Sequence, residues 1–159
     1  IYVLGNYNVT GAKGVKTAVN NQTAGYSYPA ALMGDSVTIL SGSWSDAPHA
    51  KGSPTTPTAT TVNAACLEGI VESEGSNYSG GVENFLRLLE KWTGSIQLTY
   101  NGSIVVMFPS QYATSPWNGG YYGVPKRSWA FDLNYRDQSG LPPLTPQVKA
   151  VVRATWANK

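Results

Sequence analysis

The sequence predicts an α+β, β-rich domain: an antiparallel or coiled β-sheet with one amphipathic helix, about residues 80–93, packed on it. Three observations predict this. Alternating and β-branched runs recur between Gly, Asn and Pro turn signals. One stretch carries apolar residues at helical spacing. Asn101-Gly102 lies between two apolar runs, where a tight two-residue turn wants that pair.

The elements follow in order. Ile1 to Leu4 and Val15 to Val19 alternate weakly, with Asn6, Asn8, Asn20 and Asn21 marking turns. Ser36-Val37-Thr38-Ile39-Leu40 is rich in β-branched residues and reads as a buried strand between Gly34-Asp35 and Ser41-Gly42-Ser43. Residues 45–61 hold Pro48, Pro54 and Pro57 in a Ser/Thr/Ala-rich run that can propagate neither a helix nor a central strand, so a long loop is expected there.

The helix comes next. Val82, Phe85, Leu86, Leu89 and Trp92 form one apolar stripe. Glu83 falls in the first turn, where the helix dipole favours an anion, and Gly94 is a natural stop. Phe85, Leu89 and Trp92 are expected to make the helix–sheet core, with Arg87 and Glu90 on the wet side. Ser95 to Tyr100 then alternates strictly, and residues 103–108 are nearly all apolar, as in a strand covered on both faces. A hairpin through Asn101-Gly102 is the simple reading and a corner in a coiled β stack the alternative. Residues 112–135 are aromatic-rich and loop-like, and Val148 to Trp156 reads as a terminal strand. A single domain over 1–159 is expected, long enough to bury a core.

Composition narrows the function classes. Hydrophobic residues make up 42%, which argues against disorder, but charged residues make up only 13%, against roughly 25% in typical soluble chains. Such a Tyr-, Thr-, Ser-, Asn- and Gly-rich surface suits a protein that packs against neighbours. A net charge of +2, with Lys126-Arg127 the one adjacent basic pair, argues against a phosphate-tracking nucleic-acid surface. Cys66 is the lone cysteine, so no intrachain disulfide forms, and its apolar setting reads as a small buried hydrophobe. His49 is the lone histidine, which leaves no imidazole- or thiolate-rich metal site. No stretch approaches the roughly 20 apolar residues of a membrane helix. The chain begins Ile1-Tyr2-Val3-Leu4-Gly5, without the basic and apolar regions of a signal peptide; the lack of an initiating Met suggests an upstream segment has been removed.

Catalysis is not expected. Ser41, Ser79 and Ser110 are outside any Gly-x-Ser-x-Gly pattern, and no glycine-rich phosphate loop is present. Glu83 and Glu90 would stand about 10 Å apart on a helix, too far for the ~5 Å carboxyl pair of a retaining glycosidase. No cofactor is expected. The one cation reading is a structural calcium site from Glu83, Asp132 and backbone carbonyls, against the simpler reading that Glu83 caps local backbone and Asp132 pairs with Arg127 or Arg136. Trp117, Tyr121 and Tyr122 are the residues expected to contact another chain, because aromatics concentrate at interface centres. Stacking on sugars is the other reading of the same side chains.

Several stretches carry a family resemblance: Tyr-Ser-Gly-Gly-Val-Glu-Asn-Phe-Leu-Arg (78–87), Leu-Thr-Tyr-Asn-Gly-Ser-Ile-Val (98–105), Ser-Gln-Tyr-Ala-Thr (110–114), Arg-Ser-Trp-Ala-Phe-Asp (127–132) and Pro-Pro-Leu-Thr-Pro (142–146). Gly-Asn-Tyr-Asn (5–8), Gly-Asp-Ser-Val-Thr-Ile-Leu-Ser (34–41) and Thr-Thr-Val-Asn-Ala-Ala (60–65) extend it upstream. In these the chain resembles the C-terminal region of bacterial PilX-type proteins, the minor-pilin-like assembly proteins of type IV pilus systems. The resemblance implies a non-enzymatic structural or assembly subunit of an extracellular, cell-surface filament. Those relatives usually carry an apolar N-terminal helix ahead of this region, which this chain lacks, and Leu144 stands where a glycine is more usual. The missing helix implies that a separate helical pilin chain supplies the filament core, with this chain as its globular partner beside copies of itself. No nucleic-acid partner and no direct membrane insertion are expected. The alternative is a carbohydrate- or surface-binding adhesin module.

Overall fold

The computed structural model of the chain describes residues 1–9, 15–16, 26–47, 54–71, 86–114 and 123–146. In chain order the strands are β1 (Tyr2–Leu4), β2 (Val15–Lys16), β3 (Tyr26–Ser27), β4 (Ala31–Gly34), β5 (Val37–Leu40), β6 (Thr60–Ile70), β7 (Leu86–Leu88), β8 (Gln97–Pro109) and β9 (Lys126–Phe131). Two short 3-10 turns, Leu133–Arg136 and Gln138–Gly140, follow β9.

The architecture corrects the expected one. Two sheets are parallel throughout, one ordered β1-β5-β7 and the other β4-β6-β8-β9. Among the described residues antiparallel pairing is confined to the β2–β3 ribbon. No helix of seven or more residues occurs among the described residues, so the antiparallel sheet with a packed amphipathic helix is set aside. Parallel neighbours cannot be joined by a tight turn. From β4 to β8 successive strands alternate between the two sheets, with Asp35-Ser36 alone carrying the chain from β4 to β5, and β9 then follows β8 in the same sheet.

The core lies where the two sheets meet. Val3, Ile39 and Leu88 stand in register across the first sheet, with Val37 beside Leu86. Val62 and Tyr100 stand in register in the second, with Cys66 and Leu98 on the same two strands. All of these, with Trp92, form one buried cluster. Each large apolar side chain so buried contributes roughly 1.5–3 kcal/mol relative to exposure.

The helix prediction fails for a visible reason. Leu86, Leu88, Glu90 and Trp92 are all buried, while Arg87 and Leu89 are half-buried and Lys91 is exposed. That is a period of two, and it overlaps the helical stripe at Leu86 and Trp92. Pairing of β7 with β5 selects the extended reading; local propensity is a weak prior against such tertiary pairing. Of the predicted helix core, Trp92 is buried but lies past the strand, Leu89 is only half-buried, and Phe85 lies outside the described residues.

The hairpin prediction fails at Asn101-Gly102. Both lie inside the continuous strand β8, and neither has the positive φ that the tight turn requires. Asn101 belongs to a row of stacked amides: its Nδ2 donates to Asn63 Oδ1 at 2.7 Å, and Asn63 Nδ2 donates to the Asn8 carbonyl at 3.0 Å. Asn8, at φ 57, donates back to the Asn63 carbonyl at 2.9 Å. Such rows form where strands stack in parallel register. The predicted 45–61 loop also ends early, because Thr60 and Thr61 already belong to β6. The expected terminal strand at 148–156 lies outside the described residues.

Candidate functional site

The site is an edge and a face of the second sheet. β8 outlasts its neighbour: β9 pairs with Gln97 to Gly102, whereas β6 runs beside β8 as far as Pro109. Asp132 ends the pairing. Its buried side chain accepts from the Asn134 N–H at 3.0 Å and starts the 3-10 turn that carries the chain off the edge. On the β9 side the backbone of β8 therefore has no strand partner beyond Gly102 among the described residues. The Gly102 carbonyl accepts from Asp132 N, and the Ile96 carbonyl from Lys126 N. Alternation then points the amide groups of Ile104 and Val106 at the open edge. A register shift follows at Glu68/Gly69, where Met107 is the extra residue opposite β6.

The face beside that edge is apolar. Met33, Leu67 and Val105 stand in register across β4, β6 and β8, and Ala31, Ala65 and Ser103 form the adjacent rank. Phe131 and Tyr135 meet edge-to-face at 6.0 Å, and Tyr135 Oη donates to the Ala30 carbonyl at 3.2 Å, tying the wall to the sheet. The segment Leu141 to Pro146 completes a groove of about 720 Å³. Among the described residues no Asp, Glu, Lys, Arg or His lines it. Met33 is 65% exposed, and Val105, Met107 and Phe131 are also open to solvent. Parallel sheets are ordinarily covered on both faces; among the described residues nothing covers this one.

The ionisable groups of the fold serve corners and loops. Glu90, fully buried, accepts from Ser41 N and from Ser41 Oγ at 2.7 Å where β5 ends. Asp35 accepts from the N–H groups of Gln111, Tyr112 and Ala113 at 2.7, 3.0 and 2.6 Å, clasping the loop after β8. The Ala113 and Gln111 bonds chiefly hold its carboxyl below the usual carboxylate range. Arg87 Nη2 donates to the Ala113 carbonyl at 2.7 Å, so it is engaged rather than on a free wet face. Burial pushes the Cys66 thiol up to about 12, a value fit for packing and not for nucleophilic attack.

Among the described residues Glu68 is the one carboxyl pushed far upward. It is 1% exposed; Oε2 accepts from Val37 N at 2.8 Å and Oε1 has no partner among the described residues. Burial raises it to about 7, opposed by the Val37 bond and the Arg87 charge. The folded state thus keeps a proton that the unfolded chain releases near pH 4.3. Stability is therefore expected to fall as pH rises from about 4.5 to about 7 and to level off above it. Glu68→Gln keeps the Val37 acceptor and cannot ionise. Urea denaturation across pH 4–8 should show the variant losing that slope and standing about 2–3 kcal/mol above the parent at pH 8. Parallel curves for the two proteins would contradict it.

The predicted site residues fare unevenly. Trp117, Tyr121, Tyr122, Glu83, Ser79 and His49 lie outside the described residues. Glu90 is buried where a wet helix face was expected. Ser41 is held by Glu90, and Ser110 Oγ donates to the Asp35 carbonyl at 3.1 Å. Asp132 caps Asn134. No group of three or more metal-ligating side chains occurs among the described residues. The groove residues Met33, Val105 and Met107 were missed as a surface. The signal was the nearly all-apolar run 103–108, read as doubly covered when Val105 to Phe108 are exposed.

No family model matches the chain, and neither the curated proteins nor the solved structures give a significant match.

Proposed function

We propose that this chain is a structural subunit of an extracellular, type IV pilus-like filament, the globular partner of a separate helical pilin chain. The observation that carries the reading is the uncharged apolar face of the second sheet lying beside the open edge of β8. Apolar area of this kind is a mark of protein contact surfaces. An open strand edge accepts an extended segment from another chain by backbone pairing. The motif resemblance to PilX-type proteins supports the same reading, and the low charge content agrees with a molecule that spends its life packed against neighbours.

Imaging of natively isolated material by cryo-electron microscopy tests it. The expected result is this chain repeating along a filament beside a second, helical chain, with Val105 and the β8 edge buried. Val105→Lys, at a position already 41% exposed, should leave the fold intact and block assembly. Material found only as dispersed monomers would overturn the reading.

A further inference from the structure

We propose that two copies of this chain pair face to face through the groove, each inserting its Leu144 side chain into the groove of the other. The inference rests on the assembly reading above and names the occupant of that surface.

Leu144 is an anomaly on two independent counts. Its side chain is 100% exposed, and its φ is +64, in the left-handed region. It occupies the third position of the turn Pro142–Thr145, closed by Thr145 N donating to the Pro142 carbonyl at 3.2 Å. Thr145 Oγ1 reinforces it with a second bond to the same oxygen at 2.6 Å. Glycine or asparagine is the usual residue there, because a Cβ is strained. Among the described residues nothing packs on the Leu144 side chain to offset either the strain or the exposure. Pro142, Pro143 and Pro146 stiffen the turn, so little freedom remains to be lost when a partner closes on it.

Knob and groove border one another in a single patch, since Leu144 stands on the groove's own rim while its side chain projects into solvent. A two-fold axis through such a patch sets each knob against the other copy's groove, which is the condition for an isologous contact. A two-fold contact also brings a surface against itself, so any charge on it would meet its like. The groove lining carries none among the described residues. A partner chosen by charge complementarity has nothing to grip here, whereas a second copy meets no repulsion.

Sedimentation equilibrium of the full chain, from micromolar to millimolar concentration, is the test. The wild type is expected to dimerise reversibly. Leu144→Gly should weaken the dimer by about tenfold or more, as loss of a buried anchor does, while the monomer's melting temperature stays equal or rises because the strain is gone. Met33→Asp, on the opposite wall, should abolish pairing without Leu144 being touched, and Leu144→Met should retain it. A wild type that stays monomeric throughout overturns the proposal, as does a Leu144→Gly protein that dimerises like the parent. Occupancy of the groove by the chain's own residues 147–159 or by a small apolar ligand would give that second result or the first. The two readings separate cleanly. Filaments in which Leu144 meets no groove overturn the pairing alone, and dimers without filaments overturn the assembly reading alone.

Discussion

Replacing Gly102 with alanine is expected to destabilise the fold by about 3–5 kcal/mol, at the severe end for a single methyl group. A Cβ at this position would lie 1.8 Å from the Ala64 carbonyl oxygen and 2.6 Å from its carbon. Both are backbone atoms of β6, locked by the ladder that joins β6 to β8. The Tyr100 hydroxyl, which donates to that same Ala64 carbonyl at 2.7 Å, closes the remaining space at 3.0 Å. Relief would require parting the two strands at their middle. Chemical denaturation monitored by far-UV circular dichroism measures the cost. The size of the loss also decides between two structures. In a hairpin, glycine serves only its positive φ, and alanine there would cost roughly 1–2 kcal/mol. A loss that small would refute the continuous strand.

Substituting Glu90 with leucine is the second large effect, expected at about 3–4 kcal/mol. The leucine is of similar bulk and suits a buried site, so a simple burial argument predicts a gain. The hydrogen bonds reverse the sign. Glu90 takes the Ser41 N–H, the Ser41 hydroxyl and, at 3.4 Å, the Thr55 hydroxyl. Removing the acceptor strands buried donors, each costing about 1–3 kcal/mol. Glu90→Gln keeps one acceptor oxygen and should lose only about half as much. Thermal unfolding of the three proteins should rank parent, glutamine, leucine. A leucine variant as stable as the parent would mean that water reaches Ser41.

How much of this was legible in the sequence depends on which interactions are local. β5 could be read directly: Val37 to Leu40 is β-branched, flanked by turn residues, and buried throughout. The burial of Cys66 was equally plain from its apolar neighbours. β7 could not be read with confidence, because Leu86 and Trp92 satisfy both a period of 3.6 and a period of 2. Only the pairing of Leu86 to Leu88 with β5, far away in the chain, breaks the tie. Asn101-Gly102 misled for a related reason. Asparagine and glycine favour tight turns, but they also favour stacked strands, where one supplies an amide to a neighbouring amide and the other lets two backbones approach. The chain separation between Asn63 and Asn101 hides that partnership from any local window. The groove was missed because it is made of ranks: Met33, Leu67 and Val105 come from three strands whose register only the parallel topology sets.

The unequal ladders of the second sheet have a mechanical consequence. In parallel sheets the backbone bonds run from strand to strand, so the response to force depends on its direction. Tension applied along β8 loads the whole β6–β8 ladder in shear, and its bonds must give way nearly together. Tension applied across the strands instead opens the ladders one bond at a time, like a zip. The first to part is β4, which holds β6 over only four registered pairs, from Ala31 to Gly34, against the six by which β9 holds β8. Its departure would bare one edge of β6 while leaving the long β6–β8 ladder in place. A subunit pulled across its sheet would thus lengthen in a small, recoverable step before the rest yielded.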